Sequence, residues 1–235
     1  MVSIRNNITT PPNHVFCAYT PDRSIVTRII NMVTSLMKNA FKINDIASFD
    51  VLYDIRHGTP ETFKSKRLIY VTAVDIYWAQ NIFQYSHELC HLLITEPIPE
   101  CFKWFEESIC DLASIFFLHE SEKNWASYFP DHLDYKPKIQ KYISDLSSGA
   151  PFPLNDLFNE QSECAIYLRS HRYDRNKNRY VALSLLPIFI SNPILWKSVP
   201  LLCRGANAKS FKDFLEQWRD NSDNKNIDQI INLFS

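Results

Sequence analysis

The chain has 235 residues, 46 % of them hydrophobic and 14 % aromatic, ample for the core of one domain or of a catalytic domain with a closely packed helical part. Its net charge of −1 implies no general attraction to nucleic acid or to an anionic membrane, and three glycines, at 58, 149 and 205, exclude glycine-rich phosphate loops. No apolar run reaches the roughly 18 residues of a membrane span, and the polar start from Met1 to Pro12 does not read as a secretory signal, so the expected location is the cytoplasm.

In chain order, Pro11, Pro12 and Pro21 mark an irregular N-terminal arm. Ser24 to Phe41 predicts a helix, because Ile25, Ile29, Met32, Leu36 and Ala40 recur at three- and four-residue spacing and predict one buried face. Phe49 to Ile55 and Arg67 to Val74, rich in β-branched and aromatic residues, read as strands, with a turn at His57-Gly58-Thr59-Pro60. The six cysteines, Cys17, Cys90, Cys101, Cys110, Cys164 and Cys203, show no C-x-x-C spacing and read as reduced, mostly buried thiols.

Trp78 to Ile94 predicts a helix that is apolar nearly all round and therefore buried. It contains His87-Glu88-Leu89-Cys90-His91. Residues four apart project from one helix face, so His87 and His91 can offer two imidazole nitrogens to one ion, a donor set that suits Zn2+. Glu88 stands about 100° further round the helix, where a carboxylate reaches an activated water without binding the metal, the geometry of a general base. Two histidines and a glutamate in so apolar a helix are costly unless they are paired or bind metal.

A second helix follows through Phe102, Phe105, Ile109, Leu112, Ile115, Phe116 and Phe117, with Glu107 and Asp111 four apart on it. H-E-x-x-H followed by a helix carrying E-x-x-x-D resembles the gluzincin metallopeptidases, the thermolysin-like and aminopeptidase-type enzymes. Trp104-Phe105-Glu106-Glu107-Ser108 is similar to the W-x-N-E-G helix of the aminopeptidase type, with Glu106 and Ser108 replacing its asparagine and glycine. The resemblance implies one Zn2+ held by His87, His91 and Glu107, with Asp111 hydrogen-bonding the outer nitrogen of a ligand histidine. A cysteine ligand is the lesser alternative. The resemblance also implies that the strand before the motif helix is a sheet edge lining the cleft, which would give Leu68 to Thr72 a role in pairing with an extended peptide.

Beyond Leu118 the chain predicts helices over Lys136 to Leu146, Asn155 to Phe158, Glu163 to Ser170, Asn178 to Ile190, Leu195 to Cys203, Ser210 to Asn221 and Asn226 to Phe234. Ser147 to Pro153 is a turn-rich break. The basic run Arg169, Arg172, Arg175, Lys177 and Arg179 is read as a solvated loop or as a cleft border that contacts a peptide carboxylate, not as a nucleic-acid surface. In the resembled enzymes a later histidine or tyrosine donates a hydrogen bond to the oxyanion, and Tyr180, Tyr173 and His171 occupy that place here.

The expected architecture is α+β and mostly helical. A part over 1–147 carries a small sheet packed on the zinc-site helix, and a helical part over 148–235 completes one catalytic domain. The expected function is zinc-dependent hydrolysis of peptide bonds in a peptide or protein substrate, with no nucleic-acid or membrane partner. The alternatives are a non-catalytic zinc protein used for binding or regulation, and a hydrolase acting on a non-peptide bond. Nothing matches the G-x-M-E-N stretch that anchors a free amine in aminopeptidase-type enzymes. Peptides with blocked and free N-termini should therefore be cut at similar rates, and a strict demand for a free amine in a paired digest would contradict this.

Overall fold

The computed structural model describes residues 14–17, 23–95, 97–146, 148–205 and 207–235, so the expected N-terminal arm lies mostly outside the described residues. The protein is α+β and mostly helical, with one four-stranded sheet. Two compact units are distinguished: residues 1–92 with 113–146, and residues 93–112 with 147–235.

The first unit contains the sheet. Strands β1 (His14–Cys17), β2 (Asp50–Tyr53), β3 (Glu61–Phe63) and β4 (Leu68–Val71) lie in the order β1-β2-β4-β3. β1, β2 and β4 are parallel and β3 is antiparallel to β4. Parallel neighbours need a crossover, and helix α1 (Arg23–Phe41) supplies it between β1 and β2. The buried seam of α1 runs through Ile25, Ile29, Val33, Met37 and Phe41, while Leu36 and Ala40 are only half-buried. The strand expected at the sheet edge, β4, is internal, flanked by β2 and β3. Sequence alternation does not show β3, because three residues give barely more than one period of a strand.

Side chains alternate across a strand, so β2 and β4 each bury one face: Val51 and Tyr53 on β2, Ile69 and Val71 on β4. Thr62 of β3, paired with Ile69 in the same row, bonds Glu88 of helix α2 (Trp78–Leu93), so that row meets the helix. The Gln84 side chain on α2 accepts hydrogen bonds from Thr72 N at 3.1 Å and Ala73 N at 2.8 Å, pinning the end of β4 to the helix. Trp78, at the start of α2, enters an aromatic cluster with Trp125, Phe129 and Tyr135. Arg28 of α1 caps that cluster from the ring of Phe129 and forms a fork onto the Asp131 carboxylate.

Helix α3 (Lys103–Tyr128) is buried at every position from Ser108 to Leu118. A helix apolar all round is a core helix rather than a surface one. Its later part belongs to the first unit, together with α4 (Lys136–Asp145).

In the second unit, Phe102, Trp104 and Phe105 pack on Phe211 and Phe214 of helix α7 (Phe211–Ser222). The other helices there are α5 (Glu163–Ser170), α6 (Arg175–Ser191) and α8 (Ile227–Leu233). Polar caps set their starts: Ser162 accepts from Ala165 N, Asp174 from Asn176 N and Lys177 N, and Ser210 from Asp213 N. The Asp174 cap starts α6 three residues ahead of the expected Asn178. Segments 154–158 and 193–205 are 3-10 rather than α-helical. Pro193 and Pro200 deny the second of these its α-type donors. Among the described residues no helix is long and apolar enough to cross a membrane.

Gly149 fixes the approach of its loop to α6. Its φ is +78°, and a Cβ there would stand 2.4 Å from Asn176 O and 2.6 Å from Tyr180 N, both backbone atoms. Gly149→Ala should therefore destabilise the protein by about 2 kcal/mol or more, from the left-handed φ and the clash together. A urea midpoint unchanged by that substitution would contradict the close approach.

Candidate metal centre

Helix α2 presents its polar residues in order. Its half-exposed positions Gln80, Gln84, His87 and His91 follow at spacings of four, three and four and form one stripe along the helix. Around that stripe Ile82, Tyr85, Leu89, Cys90 and Leu92 are buried. His87 and His91 are thus neither packed core histidines nor free surface ones. They stand at the boundary between the buried and the exposed residues of the helix.

The two rings converge. His87 Nε2 and His91 Nε2 are 3.2 Å apart, with ring centroids 4.9 Å apart and planes at 65°. Two nitrogens bound to one tetrahedral zinc, each at 2.0–2.1 Å, are about 3.3 Å apart, so the pair already has the spacing that an ion requires. Two imidazoles are a donor pair that zinc accepts. Cys110 is free of any disulfide and fully buried.

The other expected ligand, Glu107, is on α3 one turn before Cys110 and is the single half-exposed position between Trp104 and Leu118. Glu106 beside it is buried. Asp111 is 8 % exposed, and its Oδ2 accepts from Arg179 Nε at 3.1 Å. The sequence offers no signal for that ion pair, since α6 supplies its cation from 68 positions away.

Glu88 is 5 % exposed. The hydroxyl of Thr62, on β3, lies 2.8 Å from Glu88 Oε2 and 2.8 Å from the Glu88 main-chain oxygen. Thr62 was not among the residues the sequence singles out.

The three expected oxyanion donors all lie in the second unit. His171 stacks on Tyr167, with centroids 4.1 Å apart and planes at 5°, and Tyr173 is 64 % exposed beneath the Arg172 guanidinium. Both line a cavity of about 490 Å³ with Glu100, Arg169 and Asp174. Tyr180 packs against Phe152. The basic run is largely engaged: Arg169 pairs with Glu160, Arg172 with Glu100, and Lys177 sits over the rings of Phe152 and Tyr167. The Lys103 ammonium, with help from Arg172, holds the Glu100 carboxyl below its ordinary range. A hydrogen bond to Asp174 raises the Tyr167 phenol.

No protein-family model matches the chain, nor does any curated protein sequence or solved structure.

The geometry sets a direct expectation for metal binding. Purified protein should carry close to one zinc, and His87→Ala or His91→Ala should weaken binding at least about 100-fold. Glu107→Gln and Cys110→Ser, assayed side by side by metal analysis, identify the third protein ligand as the variant that loses zinc. Full zinc retention by His87→Ala would remove the centre from this helix.

Proposed function

We propose that the protein is a zinc-dependent hydrolase of gluzincin type that cleaves peptide bonds in the cytoplasm. The observation that carries the reading is the pair of histidine nitrogens 3.2 Å apart on α2, with the buried carboxylate of Glu88 beside them in the chain. Four described cysteines without disulfides, Cys90, Cys101, Cys110 and Cys164, accord with a reducing compartment.

In this reading His87 and His91 would hold the ion through their imidazole nitrogens. Glu107 or Cys110, three apart on α3, would supply the next ligand. Bound there, zinc would supply Lewis acidity to a water and to the scissile carbonyl. Glu88 takes a proton onto its carboxylate and returns it to the leaving amine. Its burial keeps bulk water from competing for that proton. Asp111 and Arg179 fix the part of α3 that carries the third ligand. Tyr180, Tyr173 and His171 remain the candidate oxyanion donors, and the substrate is an extended peptide or protein segment.

One observation favours a second reading. Cys110, a thiol of the kind zinc accepts, is buried on α3 three residues after Glu107. If Glu107 and Cys110 both bind, four protein ligands close the coordination, which defines a structural zinc centre serving a binding or regulatory protein.

Glu88→Gln separates the two. In the hydrolase it keeps zinc and the fold but lowers turnover of a peptide-library digest by roughly 10²- to 10⁴-fold. A variant that stays comparably active rules out the general base. A wild-type protein that holds one zinc yet cleaves nothing in the library favours the closed centre.

A further inference from the structure

We propose that Thr62 is the positioning residue for Glu88, a hydroxyl latch on β3 that holds the carboxylate in place; the catalytic consequence rests on the hydrolase reading above.

The argument begins in the sheet. Thr62 pairs with Ile69, and Ile69 pairs with Val51, so the three form one row across β3, β4 and β2. Val51 and Ile69 are fully buried on the face that meets α2. Neighbours across a sheet point to the same side, so Thr62 extends an apolar row by one polar residue. Glu61 and Phe63 point the other way. There Glu61 meets His57 at 3.3 Å, and Phe63 packs edge-on against Tyr70. A β-branched apolar residue would complete the row at position 62. Threonine has that shape with one methyl exchanged for a hydroxyl.

What the hydroxyl meets explains the exchange. Thr62 Oγ1 is 2.8 Å from two oxygens of one residue, Glu88 Oε2 and Glu88 O. A threonine hydroxyl has one proton and two lone pairs, and an ionised carboxylate and a carbonyl are both acceptors only. The hydroxyl can donate to Oε2 or to the main-chain oxygen, and either bond ties β3 to the same residue. Because both contacts run to Glu88, Thr62 holds its carboxylate in one place against α2.

The test uses the full chain with zinc bound. Thr62→Val preserves shape and removes the hydroxyl; Thr62→Ser preserves the hydroxyl and removes the methyl. Crystal structures of both variants report where the Glu88 carboxylate lies, and zinc analysis and thermal melts report whether the centre and fold are intact. The latch predicts a displaced carboxylate in Thr62→Val, with kcat lowered on the order of tenfold and KM within about twofold. Thr62→Ser should restore both the position and most of kcat. A Glu88 carboxylate that stays in place in Thr62→Val overturns the latch, as does a displaced carboxylate with unchanged kcat. If wild-type protein hydrolyses no peptide, the hydrolase reading fails by itself, and the carboxylate position in the two variants still decides whether Thr62 holds it.

Discussion

A carboxylate that is 5 % exposed in the middle of an apolar helix is the constraint on which the first unit depends. Taking such a group out of water costs several kcal/mol unless partners answer it. The neighbours of Glu88 on α2, Leu89 and Cys90, are fully buried and offer no help. The partner comes from β3, a strand of three residues that lies at the sheet edge by virtue of its pairing with β4. Holding β3 against α2 brings the sheet with it, and Gln84 repeats the attachment at the end of β4. Sheet and helix are therefore joined by polar contacts on either side of the apolar row of Val51 and Ile69.

Helix α3 meets the same problem differently. From Ser108 to Leu118 it offers water no face, yet it carries Asp111 within that stretch. In the ion pair of Asp111 with Arg179 the side chains are 11 % and 14 % exposed, respectively. Pairs of this kind add little net stability, because desolvation offsets most of the attraction, while loss of one partner is costly. Its effect is to fix orientation: α6 and the first turns of α3 are held in one rotation. The phenylalanines and tryptophan ahead of it, Phe102, Trp104 and Phe105, supply the apolar stabilisation through their contacts with α7.

Much of this was legible because the signals are local. Helix α5 begins at Glu163, where Ser162 accepts from Ala165 N, and the His87 and His91 pairing is a consequence of four-residue spacing alone. The unread parts each have a physical reason. β3 is too short for a period-two pattern to register, and with it the internal place of β4 was missed. Segment 193–205 has helical periodicity, but Pro193 and Pro200 tighten it into 3-10 turns. Thr62 lies 26 positions from Glu88 and Arg179 lies 68 from Asp111, so chain topology rather than spacing brings each to its partner. Cys110 is set behind Glu107 by resemblance to enzymes that use a glutamate, and the two stand three residues apart on one helix, so spacing alone does not choose between them.

The choice between a catalytic and a structural centre turns on what Glu88 is for. In a closed zinc site every costly group is a ligand or steadies one, because the centre's only output is stability. Glu88 stands beside His87 in the chain, and its carboxylate is turned to a hydroxyl on another strand. A leucine at that position would remove the desolvation cost and, with it, the hydrogen bond from Thr62 to Oε2 that ties β3 to the helix. In the proposed hydrolase the same carboxylate would also take a proton, a role that the contact to β3 alone does not require.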